Sequence, residues 1–236
     1  MSDGAAQLLD SLDALACGLF LLTSFGIVAT RQARGCLQLF IAQSLLLAAS
    51  AALLGLRFHA AHLYGVALVN LVTKPIIVPW LLRKTSPAGI YTRREVEQVL
   101  NIPVTLTISL ALAIFAYFVG IPLARAAGPQ FVGPNVPIGV AGLLLGALTL
   151  TVRREALPLL VGLLAMENGA FLAGISIARD LGMLVELAIA TDGLVIVFIM
   201  GVLVRAVQQH VGTTAVGELA SLRESGGQSG DAEVTT

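Results

Sequence analysis

The sequence predicts an all-α integral membrane protein with about seven transmembrane helices. Hydrophobic residues make up 57% of its 236 residues, charged residues make up only 12%, and the mean hydropathy is +0.90. This composition supplies far more apolar surface than one water-soluble domain can bury. The apolar residues also fall in runs that are long enough to cross a bilayer as helices.

Seven stretches meet the requirement of about 20 mostly apolar residues for one spanning helix. The first should be retained in the membrane, because the N-terminal segment MSDGAAQLLDSLD lacks the basic residues of a cleaved signal peptide. The predicted spans cover residues 11–29, 36–56, 60–82, 102–124, 136–152, 156–178 and 183–207.

The basic residues predict the orientation of these spans. The connections after spans one, three and five, with the segment after span seven, hold most of the 14 Lys and Arg residues. Cytoplasmic loops carry such an excess. We therefore expect the N-terminus outside and the C-terminus in the cytoplasm, as an odd number of spans requires.

Two segments are not expected to span the membrane. In residues 92–100, Thr92 and Glu95 form a capping-box pattern that predicts a short helix on the cytoplasmic surface. The C-terminal tail is polar and rich in Gly and Ser, so we expect it to be mostly disordered. The chain thus divides into spans one to three with the surface helix, an extra span with an outer Pro/Gly loop, spans five to seven, and the tail: residues 1–101, 102–135, 136–210 and 211–236.

Ionisable residues interrupt the predicted spans near the bilayer midplane. Glu167 lies within span six, Asp192 within span seven and Lys74 within span three, and all three fall at similar depth. Each charge costs about 2.5 to 3.5 kcal/mol at a helix centre, so the three must be paired, protonated or hydrated. Such residues favour a proton or ion relay, with Glu186 nearer the outer face, although a Lys–carboxylate pair that only holds helices together remains an alternative.

The neighbouring residues predict how these charges are accommodated. Pro75 and Pro79 follow Lys74 and should kink or open the helix by freeing backbone carbonyls. Asn70 lies one turn before Lys74, and Asn168 adjoins Glu167, so both are predicted to support the relay. Small residues near Glu167 and Asp192 should let helices approach closely: Gly169, Ala170, Ala173, Gly174, Ala188 and Gly193.

Matched offsets in the two halves of the chain suggest an internal repeat. The interval from Arg34 to Lys74 nearly equals the interval from Arg154 to Asp192. Spans one to three and five to seven would then form a parallel three-helix repeat about an axis normal to the membrane, with span four as the extra helix.

Three motifs resemble the hydrogenase-4 component E family. They are Thr73 and Lys74 with Val78 and Pro79, the sequence MENG that ends at Gly169, and the sequence ELAIATD of residues 186–192. The C-terminal half also resembles the K subunit of respiratory complex I and the C component of Mrp-type cation antiporters, in a helix, an Arg-Arg turn and two acid-bearing helices. The resemblance covers most of residues 12 to 210.

The resemblance implies a membrane subunit of formate hydrogenlyase or a related energy-converting NiFe hydrogenase, in a bacterial or archaeal inner membrane. Its partners would be antiporter-like and other membrane subunits, and the complex would couple redox chemistry to proton or ion translocation. Aligned with the K subunit, Asp192 matches the second membrane glutamate, whereas the first falls on Leu164. The carboxylate of this chain, Glu167, comes about one turn later.

No residue pattern in the chain indicates a redox centre of its own. Cys17 and Cys36 lie in different spans at different depths, so we expect free thiols rather than a disulfide or metal site. The chain would be a non-catalytic subunit without a cofactor, and NiFe and Fe–S centres would belong to its partners. A stand-alone transporter built from two repeats and a purely structural scaffold subunit remain as alternatives.

Overall fold

The structure, a computed structural model, confirms the all-α fold class. It describes residues 3–59, 61–77, 79–80, 100–126 and 135–177, together with Gly193 and Gly201. Five helices within these ranges are long and apolar enough to cross a membrane. The protein is therefore a multi-pass membrane protein, and the count of seven spans stays a prediction because span seven lies almost wholly outside the described residues.

The helices follow the predicted spans closely, with two differences. The first helix begins at Asp3 rather than at residue 11, so its polar first turns precede the apolar run. The third α-helix is short and continues into a π-helical segment, Thr73–Ile77. The helices are α1 (Asp3–Ala29), α2 (Ala33–Phe58), α3 (Ala61–Val72), α4 (Ile102–Ala126), α5 (Asn135–Val152) and α6 (Ala156–Ile177).

Local sequence explains where several helices begin and end. α2 ends at Phe58 because His59 takes a left-handed conformation, with φ of 52°, and its backbone N–H donates to the Gly55 carbonyl. α5 begins at Asn135 and carries Pro137 in its first turn, where a missing N–H costs nothing.

Contacts between the helices show the relative directions of α1, α2 and α5. Ser50, late in α2, bonds to Asp13, early in α1, so these two helices are antiparallel. Asn135, at the start of α5, reaches the same Asp13, whereas Arg153 just beyond the end of α5 reaches the end of α1. α1 and α5 are therefore parallel.

Two apolar clusters form the core of the helix bundle. The first contains Ile27 of α1, Phe40 of α2 and Leu164 of α6. The second contains Phe20, Leu47 and Leu172 from the same three helices. The residues between the two clusters on each helix include polar side chains, so a polar layer crosses the bundle between two apolar layers.

Several predictions fall outside the described residues. They concern the surface helix at residues 92–100, the polar tail at residues 211–236, and most of span seven with Glu186 and Asp192. The cysteines are described: Cys17 and Cys36 are buried free thiols in different apolar clusters, at different depths.

Candidate functional site: a buried charge pair in a polar layer

Lys74 lies at the centre of the polar layer. It follows Thr73 in the π-helical segment, and its side chain is only 3% exposed. Its Nζ atom is 3.1 Å from Glu167 Oε1 on α6 and donates a 2.7 Å hydrogen bond to Asn168 Oδ1. The sequence predicted Lys74 and Glu167 at similar depth, and the structure brings them into contact.

Asn168 connects the charge pair to α2. Its Nδ2 donates to Gln43 Oε1 at 3.2 Å and to Ser44 Oγ at 3.0 Å, while its Oδ1 accepts from Lys74. Gln43 Nε2 in turn donates to Ser24 Oγ on α1 at 2.8 Å. One hydrogen-bonded network therefore joins α1, α2, α6 and the π-helical segment, and its amide and hydroxyl groups are almost completely buried.

Glu167 is the more accessible partner of the pair, because its side chain is 20% exposed. Its Oε1 atom lies within ion-pair distance of Lys74 Nζ. Among the residues that the structure describes, no group donates a hydrogen bond of good geometry to this atom. Its other oxygen lies close to Gly193, where an added Cβ atom would come within 2.9 Å of Oε2. The residue that follows Asp192 in the sequence therefore lies against the Glu167 carboxylate.

An aromatic ring completes the described surroundings of the lysine. Lys74 Nζ lies 5.8 Å from the centroid of the Phe171 ring, one turn along α6 from Glu167. A cation at this distance is attracted by the negative face of the ring. The ammonium group therefore contacts a carboxylate, an amide oxygen and an aromatic face in place of water.

The π-helical segment accounts for the position of Lys74. The ring of Pro75 has no N–H and clashes with the carbonyl one turn earlier, so the α-helical pattern cannot continue there without a change. The sequence predicted a kink or opening at this proline, and the structure has a wider π turn from Thr73 to Ile77. π turns of this kind occur mostly within longer helices and frequently at functional sites.

Close packing of α5 on α6 fixes the position of Glu167 and Asn168. A Cβ atom added to Gly169 would overlap the backbone nitrogen of Leu143, and one added to Gly146 would overlap the backbone nitrogen of Met166. The two backbones touch because these positions carry no side chain, as expected for small residues at a membrane helix interface. Gly174, also predicted to be part of a small face, has open space around it.

Two of the remaining predicted residues, Asn70 and Pro79, lie within the described part of the chain. Asn70 is buried one turn before Lys74, and Pro79 is buried beyond the π-helical segment. Glu186 and Asp192 lie outside the described residues, so their place in a relay stays a prediction. Among the described residues there is no group of three or more His, Cys, Asp or Glu side chains that could hold a metal ion.

Sequence reasoning did not identify Gln43, Ser44 or Ser24. A signal was present, since the adjacent pair Gln43 and Ser44 interrupts the apolar centre of span two. Neutral polar residues cost less than charges in a membrane and are commonly used as helix contacts, so attention to ionisable residues alone passed over them.

A second polar cluster, also not identified from the sequence, lies nearer the N-terminal end of α1. Asp13 is buried, and it accepts hydrogen bonds from Ser50 Oγ at 2.5 Å and from Asn135 Nδ2 at 2.6 Å. Cys17 Sγ lies 3.6 Å from Ser50 Oγ. One turn closer to the N-terminus, Asp10 forms an exposed ion pair with Arg57 at 3.0 Å.

A third polar contact closes the opposite end of α1. Arg153 is 4% exposed, and its Nη2 atom donates to the carbonyls of Ile27, Val28 and Thr30. Burial lowers the pKa of the Arg153 guanidinium, which nevertheless stays protonated because its reference value is so high. The turn between α5 and α6 is thereby tied to the last carbonyls of α1, which have no partner within their own helix.

The fold and the site together define an all-helical, multi-pass membrane protein with a buried charge pair between its helices. Comparison of the sequence with those of known proteins identifies several relatives. Hydrogenase-4 component E of Escherichia coli K12 is 29% identical over 216 residues, which cover 87% of this chain and 94% of that protein. The protein of the same name from Shigella flexneri gives the same figures.

The chain is similar to the hydrogenase-4 component E proteins over most of its length, which confirms the resemblance seen in its motifs. An uncharacterized protein of Mycobacterium tuberculosis, Rv0085, is 27% identical over 209 residues, or 89% of this chain and 94% of that protein. No family model and no solved structure matches the chain. The further likeness to the complex I and Mrp antiporter components stays a prediction.

Proposed function

We propose that this protein is a membrane subunit of a hydrogenase-type, complex I-like assembly and contributes a proton or ion relay near the midplane. The relatives named hydrogenase-4 component E support the assembly. The observation that carries the relay is the Lys74–Glu167 pair, which is 3.1 Å apart and is joined through Asn168 to a polar layer across the bundle.

The pair can exchange a proton internally without changing its net charge. Transfer from the Lys74 ammonium to the Glu167 carboxylate converts two opposite charges into an amine and a carboxylic acid. A change in the charge or position of a neighbouring subunit would favour one of these states. Such coupling between two titrating groups lets a distant event move a proton.

Glu167 is placed to connect this pair to the rest of a relay. Its carboxylate is partly exposed, and its second oxygen faces Gly193, the residue after Asp192. In the proposed relay, protons pass between Lys74, Glu167 and Asp192, with Glu186 nearer the outer face. Antiporter-like subunits of the assembly would continue the path, and its NiFe and Fe–S centres would carry the electrons.

The first test is isolation of the tagged, full-length protein from its own cells in mild detergent, followed by mass spectrometry. We expect an antiporter-like subunit together with NiFe and Fe–S subunits. A homogeneous protein that is stable without these subunits would contradict the assembly and favour a stand-alone transporter.

The second test separates a relay from a scaffold. In membrane vesicles with the assembled complex, Glu167→Gln should leave hydrogen-dependent dye reduction intact and lower proton translocation at least fivefold. The control Asp10→Asn removes an exposed ion pair and should change neither rate. If Glu167→Gln prevents assembly, the neutral double variant Lys74→Gln/Glu167→Gln replaces it, and normal translocation by that variant would show a structural role only.

A further inference from the structure

The buried carboxylate of Asp13 has no part in the proposed relay. Its side chain is 2% exposed, yet no basic side chain forms an ion pair with it among the residues that the structure describes. Burial of an ionised carboxylate without a counter-charge costs so much free energy that such groups usually take up a proton or bind a cation.

The groups around Asp13 come from three helices. α1 itself contributes Asp10 one turn before and Cys17 one turn after. α2 contributes the Ser50 hydroxyl, and the nearest described cation on that helix, Arg57, is already paired with Asp10. α5 contributes the amide of Asn135. No charged or titratable side chain of α3, α4 or α6 contacts Asp13 within the described ranges.

The hydrogen bonds of this cluster can serve both protonation states of Asp13. In the ionised state, Ser50 donates to Oδ1 at 2.5 Å and Asn135 donates to Oδ2 at 2.6 Å. After a proton binds to Oδ1, the carboxylic acid donates to Ser50 Oγ, and the Ser50 hydroxyl turns to donate to Cys17 Sγ, 3.6 Å away. Hydroxyl and thiol groups can each donate and accept, so Asp13, Ser50 and Cys17 keep hydrogen-bond partners in both states.

Access to Asp13 is from one side of the bundle. The exposed Asp10–Arg57 pair lies only about 4.5 Å away along α1. In the other direction, Ser24 of the polar layer is about 16 Å from Asp13 along α1. The fully buried side chains of Phe20, Leu47 and Leu172 fill the space between them. A proton can therefore reach Asp13 from the aqueous phase at the Asp10 end without reaching the Lys74 layer.

The surroundings favour a proton over a metal cation. Asn135 directs its amide N–H towards Asp13, and an N–H donor binds a carboxylate or carboxylic acid but repels a cation. We infer that Asp13, with Ser50 and Asn135, forms a second proton-binding site that exchanges with the aqueous phase at the Asp10 end of the bundle. This inference does not depend on the hydrogenase assignment.

Infrared difference spectroscopy of the full-length protein in lipid nanodiscs, titrated with acid, tests the site. We expect a carboxylic-acid carbonyl band to grow on acidification, to be lost in Asp13→Asn and to persist in the matched control Asp10→Asn. The S–H band of Cys17 should shift with the same midpoint, because Ser50 exchanges its role as acceptor for that of donor. Ser50→Ala should displace the carbonyl band and reduce the shift of the S–H band, because only the longer contact of Cys17 Sγ with Asp13 Oδ1, at 4.0 Å, then remains.

Two results would contradict the inference that Asp13 binds a proton. One is an Asp13→Asn spectrum that changes with pH as the wild type does. The other is a spectral change driven by sodium chloride at constant pH, which would make the ligand an alkali cation. If Asp13→Asn does not fold, ¹³C-labelled aspartate in the wild type and in Ser50→Ala decides: one carbonyl band must move to lower frequency with the label and must also be displaced by Ser50→Ala, the hydrogen-bond partner of Asp13. A band that fails either criterion contradicts the inference.

Discussion

Lys74 is stable in its buried position only because its charge is balanced by Glu167. Removing one partner of a buried ion pair leaves an uncompensated charge, which costs more than the pair itself contributes. Lys74 is the less exposed of the two, so loss of Glu167 should be more harmful than loss of Lys74. The hydrogen bond from Lys74 to Asn168 cannot neutralise the ammonium charge.

Glu167→Gln should therefore destabilise the protein by about 3 kcal/mol, whereas Lys74→Met/Glu167→Gln should recover most of that loss. The measurement is the free energy of unfolding of each purified variant in detergent. Asp10→Asn, which breaks an exposed ion pair, serves as the control and should change stability by less than about 1 kcal/mol. Equal effects of Glu167→Gln and Asp10→Asn would show that burial of the pair is unimportant.

Asn168 should matter to stability although it carries no charge. Asn168→Leu removes the amide that joins Lys74 to Gln43 and Ser44, and leaves buried polar groups without their partner. We expect a loss of about 1–3 kcal/mol, measured by thermal unfolding. Asn168→Asp tests the charge balance separately: it should be harmful at high pH, where the new carboxylate ionises, and milder at low pH. An Asn168→Leu variant as stable as the wild type would contradict this role.

At the residue scale, the sequence predicted which charges occupy one layer but not their hydrogen bonds. Lys74 and Glu167 stood out because charged residues are rare in spanning helices. Gln43, Ser24 and Asp13 did not stand out, since the first two are neutral and Asp13 lay near the expected start of span one. Which polar side chains contact each other depends on how each helix is rotated about its own axis. A single sequence does not determine that rotation.

At the element scale, the contact between α5 and α6 depends on glycines that allow the two backbones to touch. Gly169 faces the backbone of Gly142 and Leu143, and Gly146 faces the backbone of Met166, which precedes Glu167. Backbone atoms cannot move aside as the end of a flexible side chain can. Any side chain at these positions must push the helices apart and displace Glu167 and Asn168 with them.

Gly169→Ala should therefore destabilise the protein by about 1–3 kcal/mol through overpacking. The matched control Gly174→Ala lies on the same helix with open space around its position, so it should be neutral or stabilise by up to about 1 kcal/mol. Thermal unfolding of both variants in the same detergent gives the comparison. If both substitutions have the same effect, helix propensity rather than close packing governs these positions.

The elements were predicted more completely than the site. The lengths of the apolar runs predicted the first and last residues of α2, α4, α5 and α6 to within a few residues of the structure. They could do so because a membrane-spanning helix needs a minimum apolar length. Pro75 predicted a break in span three, but the form of the break, a π turn, depends on how Lys74 reaches α6. That is a tertiary contact which local sequence does not determine.

At the scale of the whole molecule, Arg153 ties the C-terminal helices to the N-terminal ones. It donates to three carbonyls at the end of α1, which are 123 to 126 residues away in the chain. The contact holds the α5–α6 turn at the end of α1. It therefore fixes the depth at which α6 presents Glu167 to Lys74.

Arg153→Met should destabilise the fold by about 1.5–3 kcal/mol, since hydrogen bonds to a charged group are lost and carbonyls at the end of α1 lose their donor. Arg154→Met, at the exposed neighbouring position, is the control and should have little effect. Chemical denaturation of both variants measures the difference. Similar losses in the two variants would show that the effect comes from the net charge of the turn.

Successive membrane spans must run in opposite directions because the chain recrosses the bilayer each time, and the antiparallel packing of α1 and α2 agrees with this. The total of seven spans and the side of the membrane on which the N-terminus lies stay predictions. The orientation of the protein in the membrane depends on the basic residues of its loops during insertion. The contacts between the helices do not determine it.

The distance along the chain between Lys74 and its partners has a consequence for biosynthesis. Asn168, the residue after the charge-balancing Glu167, is 94 residues downstream of Lys74, so at about 5–20 residues per second the ribosome needs on the order of 5 to 20 s to supply both. During that interval Lys74 has no carboxylate from α6 beside it, so we expect the third helix to stay at the translocon or to be shielded by another protein. We therefore expect the third helix to settle in the membrane only after the sixth has been synthesised.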